Sequence, residues 1–121
     1  MSGVEWVIEA FGCEPESLKD ASVLRTLFDE IIQGMKLRPV SAPQWHQFPR
    51  TGGITGLCLL AESHLAIHTW PERSFVTVDV YVCNLATDNS DKAQRLFSAL
   101  EAVLKPARTK YQVIHRGSVD G

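Results

Sequence analysis

The chain reads as an α+β fold, a two-layer sandwich in which a mainly antiparallel sheet carries two helices on one face. Two segments place apolar residues at helical spacing. Around them lie several short runs rich in β-branched residues, joined by short connections that favour antiparallel pairing. A length of 121 residues suits one core, so a single domain over 1–121 is expected.

Val7 to Phe11 reads as the first strand, broken by Gly12. Ser17 to about Met35 reads as a helix, with Leu24, Leu27, Phe28, Ile31 and Ile32 as its apolar stripe and with Gly34 and Pro39 at its exit. Ala42 to Phe48 is a weak strand, followed by a turn through Pro49, Gly52 and Gly53. Ile54 to Ala61 is a strongly apolar strand, and Leu65 to Thr69 is another, stopped by Pro71. Phe75 to Cys83 alternates: Val76, Val78, Val80 and Val82 face one way, and Phe75, Thr77, Asp79, Tyr81 and Cys83 face the other. Ser90 can cap a second helix to about Lys105, with Ala93, Leu96, Phe97, Leu100 and Leu104 inward. Tyr111 to His115 makes the last strand. Helices on one face leave the other face of the sheet needing cover, which dimerisation would supply.

Composition narrows the function. A net charge of −2 offers no electrostatic case for nucleic acid or an acidic membrane. No apolar run reaches bilayer length, and the N-terminus lacks a signal-peptide pattern. Cys13, Cys58 and Cys83 cannot all pair within one chain and fit neither a zinc nor a redox spacing, so reduced thiols in a cytoplasmic protein are expected. His64 and His68 would share a strand face, but no third ligand lies at a recognisable spacing and no metal is expected.

The run Glu62-Ser63-His64-Leu65-Ala66-Ile67-His68-Thr69-Trp70-Pro71-Glu72 is the most specific feature. With Val78-Asp79-Val80-Tyr81-Val82-Cys83, it resembles the prokaryotic, pyruvoyl-dependent S-adenosylmethionine decarboxylase proenzymes. The first strand, Val7 to Cys13, is similar at a lower level, and the resemblance covers roughly the whole chain. It implies that Ser63 is the precursor of a covalent pyruvoyl cofactor. The Ser63 hydroxyl attacks the Glu62 carbonyl, and the ester that forms breaks by β-elimination. The resulting dehydroalanine hydrolyses to pyruvoyl with loss of ammonia. The chain would thus cut itself into 1–62 (β chain) and 63–121 (α chain). A strained bond, an oxyanion donor and a base for the serine α-proton would assist.

By the same resemblance His68 is that base, and Thr55 stands where the family usually has a serine that assists the oxyanion stage. Threonine keeps the hydroxyl but stiffens the rotamer. The pyruvoyl ketone would form a Schiff base with the substrate amine and accept the electron pair released with carbon dioxide. Cys83 would return a proton to carbon. Glu72 would accept from the ribose hydroxyls of S-adenosylmethionine. Phe48, or else Trp45 or Trp70, would stack on adenine. The product would be the aminopropyl donor for spermidine synthesis. Two protomers pair in the family, with residues from both lining each site, so a homodimer is expected.

Spacing sets a problem, because Ser63 and His68 differ by five and a flat strand puts them on opposite faces. Their pairing needs a turn or distortion at Glu62–Ser63. Cys13 and Cys58 read as core residues. Thr55, the position of Phe48 and Arg73-Ser74-Phe75 depart from the family pattern. Two other readings therefore stay open: a pyruvoyl-dependent decarboxylase of ornithine or arginine, and an unprocessed, non-enzymatic homologue binding a nucleoside or a partner subunit.

Overall fold

A computed structural model describes residues 3–83 and 90–117. The elements in order are β1 (Gly3–Phe11), α1 (Pro15–Leu18), α2 (Ala21–Gly34), β2 (Gln44–Gln47), β3 (Ile54–Leu60) and β4 (Ser63–Trp70). A short 3-10 turn (Pro71–Arg73) leads to β5 (Phe75–Cys83), α3 (Ser90–Leu104) and β6 (Arg108–Arg116). The six strands form one sheet in the order β2-β3-β4-β5-β1-β6. Every neighbouring pair is antiparallel. The α+β sandwich expected from the sequence is the architecture observed.

Alternation decides the layers. Val4, Trp6, Ile8 and Ala10 of β1 are buried on the same face as Val76, Val78, Val80 and Val82 of β5. Ile54, Cys58 and Leu60 of β3 and Leu65 and Ile67 of β4 complete that face. Against it lie Leu24, Leu27, Phe28 and Ile31 of α2 and Leu96, Leu100 and Leu104 of α3. Each large side chain buried this way contributes about 1.5–3 kcal/mol. The Lys92 ammonium donates to the Met35 carbonyl at 2.8 Å, tying α3 to the C-terminal end of α2, where a cation suits the helix dipole.

The expected helix from Ser17 to Met35 is two helices. Asp20 stands between them with extended backbone, and its carboxylate accepts from the Ser22 N–H at 2.9 Å and the Ser22 hydroxyl at 2.7 Å. An aspartate cap satisfies the opening N–H groups of α2 and stops α1 from running into it. β1 begins at Gly3 rather than Val7, because β5 and β6 pair with its whole length. β4 begins at Ser63 rather than Leu65, because a two-residue connection joins it to β3 with Leu60 opposite Ser63. The expectation that Ser90 caps α3 rests on a side chain outside the described residues. No described helix is long and apolar enough to cross a membrane.

Thr69 is a buried polar side chain that joins three elements. Its hydroxyl donates to the Leu18 carbonyl at 2.9 Å and accepts from the Ile54 N–H at 2.9 Å. Thr69→Val keeps the shape and strands both backbone groups. The expected cost is about 2–4 kcal/mol. Urea unfolding should show a lower midpoint with an unchanged slope.

Candidate active site

The uncovered face of the sheet carries the polar set. Strand register brings Glu5, Tyr81, His64 and Leu59 into one row across β1, β5, β4 and β3. Val7, Asp79, Ala66 and Leu57 form the next row, and Glu9, Thr77, His68 and Thr55 the one after. Phe11, Phe75 and Trp70 end the series. Leu57, Leu59, Trp70 and Ile114 are exposed here, so the face is a mixed polar and apolar surface.

The predicted site residues fall into two clusters at opposite ends of β4. The first surrounds the β3–β4 connection, where Glu62 adopts a left-handed backbone with φ 60°. That conformation suits glycine and costs a residue with a Cβ of order 1–3 kcal/mol. The strain falls on the residue whose carbonyl Ser63 would attack. Ser63 follows at the strand end, and its hydroxyl oxygen accepts from the Cys83 N–H at 3.3 Å. Cys83 donates its thiol hydrogen to the Tyr81 hydroxyl at 3.1 Å. Ser63 and Cys83, 20 residues apart in sequence, are thus neighbours in space.

The second cluster centres on His68. Thr55 lies directly opposite it, with Thr55 Oγ1 and His68 Nδ1 3.0 Å apart. The hydroxyl donates or accepts there according to the imidazole tautomer. Phe48, Thr51, Thr55, His68, Thr69, Trp70 and Glu72 line a cavity of about 230 Å³. The turn Pro71–Arg73, closed by Ser74 in the left-handed region at φ 50°, brings Glu72 to its rim. Trp70 packs on Phe75 at 5.4 Å and near His68 at 6.0 Å. The fold thus brings Phe48, Thr55, His68, Trp70 and Glu72 to one cavity.

Two expectations change. Trp45 is no stacking ring for this site: it packs on Phe28 at 4.7 Å, over Gly56, on the helix side of the sheet. Within one chain, moreover, His68 does not reach Ser63. The five intervening steps of strand span about 17 Å. The distortion that spacing required does exist, but it precedes Ser63. Alternation leaves Ser63 with Leu65 and Ile67, opposite to His68.

Sequence reasoning left Tyr81, Glu5 and Arg116 without a role. The Arg116 guanidinium lies over the Tyr81 ring at 4.9 Å and pairs with Glu5 at 3.2 Å. Alternation in β5 puts Tyr81 on the same face as Cys83, as expected, but Arg116 comes from a strand far along the chain. Burial raises the Asp79 carboxyl above the usual range, the Glu5 carboxylate adds to this, and His68 and His64 pull partly back. The Tyr81 phenol is raised, first by its bond to Cys83 and then by burial. Cys13 and Cys58 are buried as expected, and burial together with Glu101 pushes the Cys13 thiol up to about 11. Among the described residues, no three His, Cys, Asp or Glu side chains converge in a way that could hold a metal ion.

A carboxyl raised in the folded state stabilises the fold only while protonated. That contribution is present in acid and is lost as pH rises through the raised value. Asp79→Asn should therefore be more stable than the parent at about pH 7, with the gain shrinking toward zero near about pH 3. Paired thermal melts across this range check the sign; a gain independent of pH would contradict it.

Known proteins resemble this chain in sequence and fold. The sequence profile of the S-adenosylmethionine decarboxylase family matches residues 4–117. An S-adenosylmethionine decarboxylase proenzyme of Picrophilus torridus is 36% identical over 116 residues, covering 96% of this chain and 85% of that protein. One from Aquifex aeolicus is 34% identical over 118 residues, covering 98% and 83%. The crystal structure of the adenosylmethionine decarboxylase from Aquifex aeolicus superposes with a TM-score of 0.82 at 33% identity, covering 97% of this chain and 92% of that one. With the fold and nearly the whole sequence matched, this chain belongs to the S-adenosylmethionine decarboxylase family.

Proposed function

We propose that this protein decarboxylates S-adenosylmethionine after cutting itself at Glu62–Ser63, and that it does so as a homodimer. The observation that carries the reading is the division of the site. Cys83 stands at one end of an open sheet face, with Ser63 beside it at the end of β4, and Thr55, His68 and Glu72 stand at the other. Two such faces, packed about a two-fold axis crossing the strands near Ala66 and Asp79, exchange the ends. Ser63 and Cys83 of one protomer then meet Thr55, His68 and Glu72 of the other. A two-fold interface is self-complementary, so both sites are completed at once. Packing would also bury Leu57, Leu59 and Ile114. The cavity of about 230 Å³ is smaller than the usual small-molecule site, and a facing sheet would supply its missing wall.

The residues at position 63 fit the formation of a pyruvoyl group. The left-handed Glu62 raises the ground state of the bond to be broken. The Ser63 hydroxyl is held at the strand end, adjacent to the Glu62 carbonyl that it attacks. Thr55 of the opposite protomer donates to the oxyanion, and His68, oriented by its contact with Thr55, removes the serine α-proton. A pyruvoyl group at residue 63 supplies an electron sink for the pair released with carbon dioxide. Cys83, whose backbone N–H bonds Ser63 and whose thiol bonds Tyr81 on the open face, delivers a proton to the substrate carbon. Glu72 accepts from the two ribose hydroxyls. Phe48 and Trp70 present flat rings to adenine, and the aromatic surface also favours the sulfonium cation.

The readings as a basic amino-acid decarboxylase and as an unprocessed homologue are not favoured. The family profile covers residues 4–117, and the relatives are named as proenzymes of S-adenosylmethionine decarboxylase. Polyamine synthesis, supplied with the decarboxylated product, is the corresponding role.

Intact mass under denaturing conditions tests processing. Two fragments meeting at Glu62–Ser63 are expected, the C-terminal one lighter by an ammonia than hydrolysis gives. Ser63→Ala should leave one full-length chain with no turnover; turnover surviving that change would refute the mechanism.

Co-expression of Cys83→Ser and His68→Ala chains tests the shared site. Each variant alone should be inactive. In a statistical mixture half the dimers are mixed, each with one intact site, so about a quarter of parental activity should return. No recovery would place both clusters of each site in one chain.

A further inference from the structure

We propose that Tyr81 is a positioning residue for Cys83, its hydroxyl taking the thiol hydrogen and fixing where the thiol points on the open face. This rests on the reading of Cys83 as the proton donor. Residues two apart on a strand share a face, but their Cα atoms are about 7 Å apart. A cysteine side chain is too short to cross that gap unaided. The tyrosine makes the crossing: its ring leans along the strand until Oη stands 3.1 Å from Cys83 Sγ.

Three other strands hold the ring in that lean. From β6, the Arg116 guanidinium sits over it at 4.9 Å. From β1, the Glu5 carboxylate pairs with Arg116 at 3.2 Å and keeps the guanidinium there. From β4, the His64 ring lies 5.7 Å away, tilted by 33°. Space for the hydroxyl exists because residue 3 is glycine: a Cβ on Gly3 would come within 2.5 Å of Tyr81 Oη. The location of Oη is therefore set by the sheet as a whole, through stacking and cation–π contact.

This has a direct chemical use. A cysteine side chain has one torsion with three staggered wells. One hydrogen bond to a fixed acceptor favours one well over the others about fivefold. A thiol held in one well presents its proton from one direction, which transfer to a single carbon requires. Once the proton has left, the phenol hydrogen can turn and donate to the sulfur. A phenol keeps that hydrogen at neutral pH.

The test reads the thiol itself. In the purified protein without substrate, the infrared S–H stretch of Cys83 is assigned by difference against Cys83→Ser. Tyr81→Phe keeps the ring and removes the acceptor, so this band should move to higher frequency. Gly3→Ala, which displaces the hydroxyl without removing it, should shift the band the same way. In turnover, Tyr81→Phe should lower kcat about three- to tenfold with KM little changed. A band that Tyr81→Phe does not move overturns the proposal, as does an unchanged kcat alongside a moved band. Failure of the underlying reading shows differently: Cys83→Ser would then retain full turnover, whatever happens to the band in Tyr81→Phe.

Discussion

Val76, Val78, Val80 and Val82 point into the helices because strand side chains alternate, and the same alternation delivers Thr77, Asp79, Tyr81 and Cys83 to the opposite side. The helices cover only one of the two faces. Apolar burial against α2 and α3 holds the sheet rigid, and that rigidity lets six strands present a polar surface in fixed register. Thr69 shows the coupling. Its buried hydroxyl binds α1 to the start of β3, and the adjacent residues His68 and Trp70 face the cavity on the other side.

The sheet also measures distance. Ser63 and Trp70 bound one strand, so chemistry at the first residue and recognition near the last are kept apart by the length of β4. No side-chain motion closes such a gap within one chain. A second copy turned end for end closes it with no motion at all, which is the physical basis of the dimer proposed here. The same turn would dry the Glu62–Ser63 bond and strengthen the electrostatic interactions around it.

Charge on the open face is balanced locally. Glu5 raises Asp79 and at the same time holds Arg116, and Arg116 steadies Tyr81. Arg108 plays a similar part at the other end, lying over the Phe11 ring at 4.4 Å. Basic side chains from β6 thus brace aromatic rings on the central strands. Strain is confined as well: the left-handed Glu62 stands next to Ser63, at the bond where stored energy would serve cleavage.

Much of this was determined by the sequence alone. Alternation in Phe75–Cys83 identified the two faces of β5, and helical spacing identified the core of α2, because both patterns follow from backbone geometry that needs no partner. The short motifs around Ser63, His68, Glu72 and Cys83 identified the family. Local pattern could not show that Asp20 splits the first helix, since a cap and an interior aspartate look alike until Leu18 is seen bonded to Thr69. Nor could it assign Trp45 to the core or Arg116 to Tyr81, because the first contact joins β2 to α2 and the second joins β6 to β5, and packing between elements is not written in local pattern. Only the tertiary structure decided which predicted site residues meet. Sequence distance carries no information about neighbours across a sheet: hydrogen-bond register joins Ser63 to Cys83 and Thr55 to His68, and strand length keeps the two pairs apart.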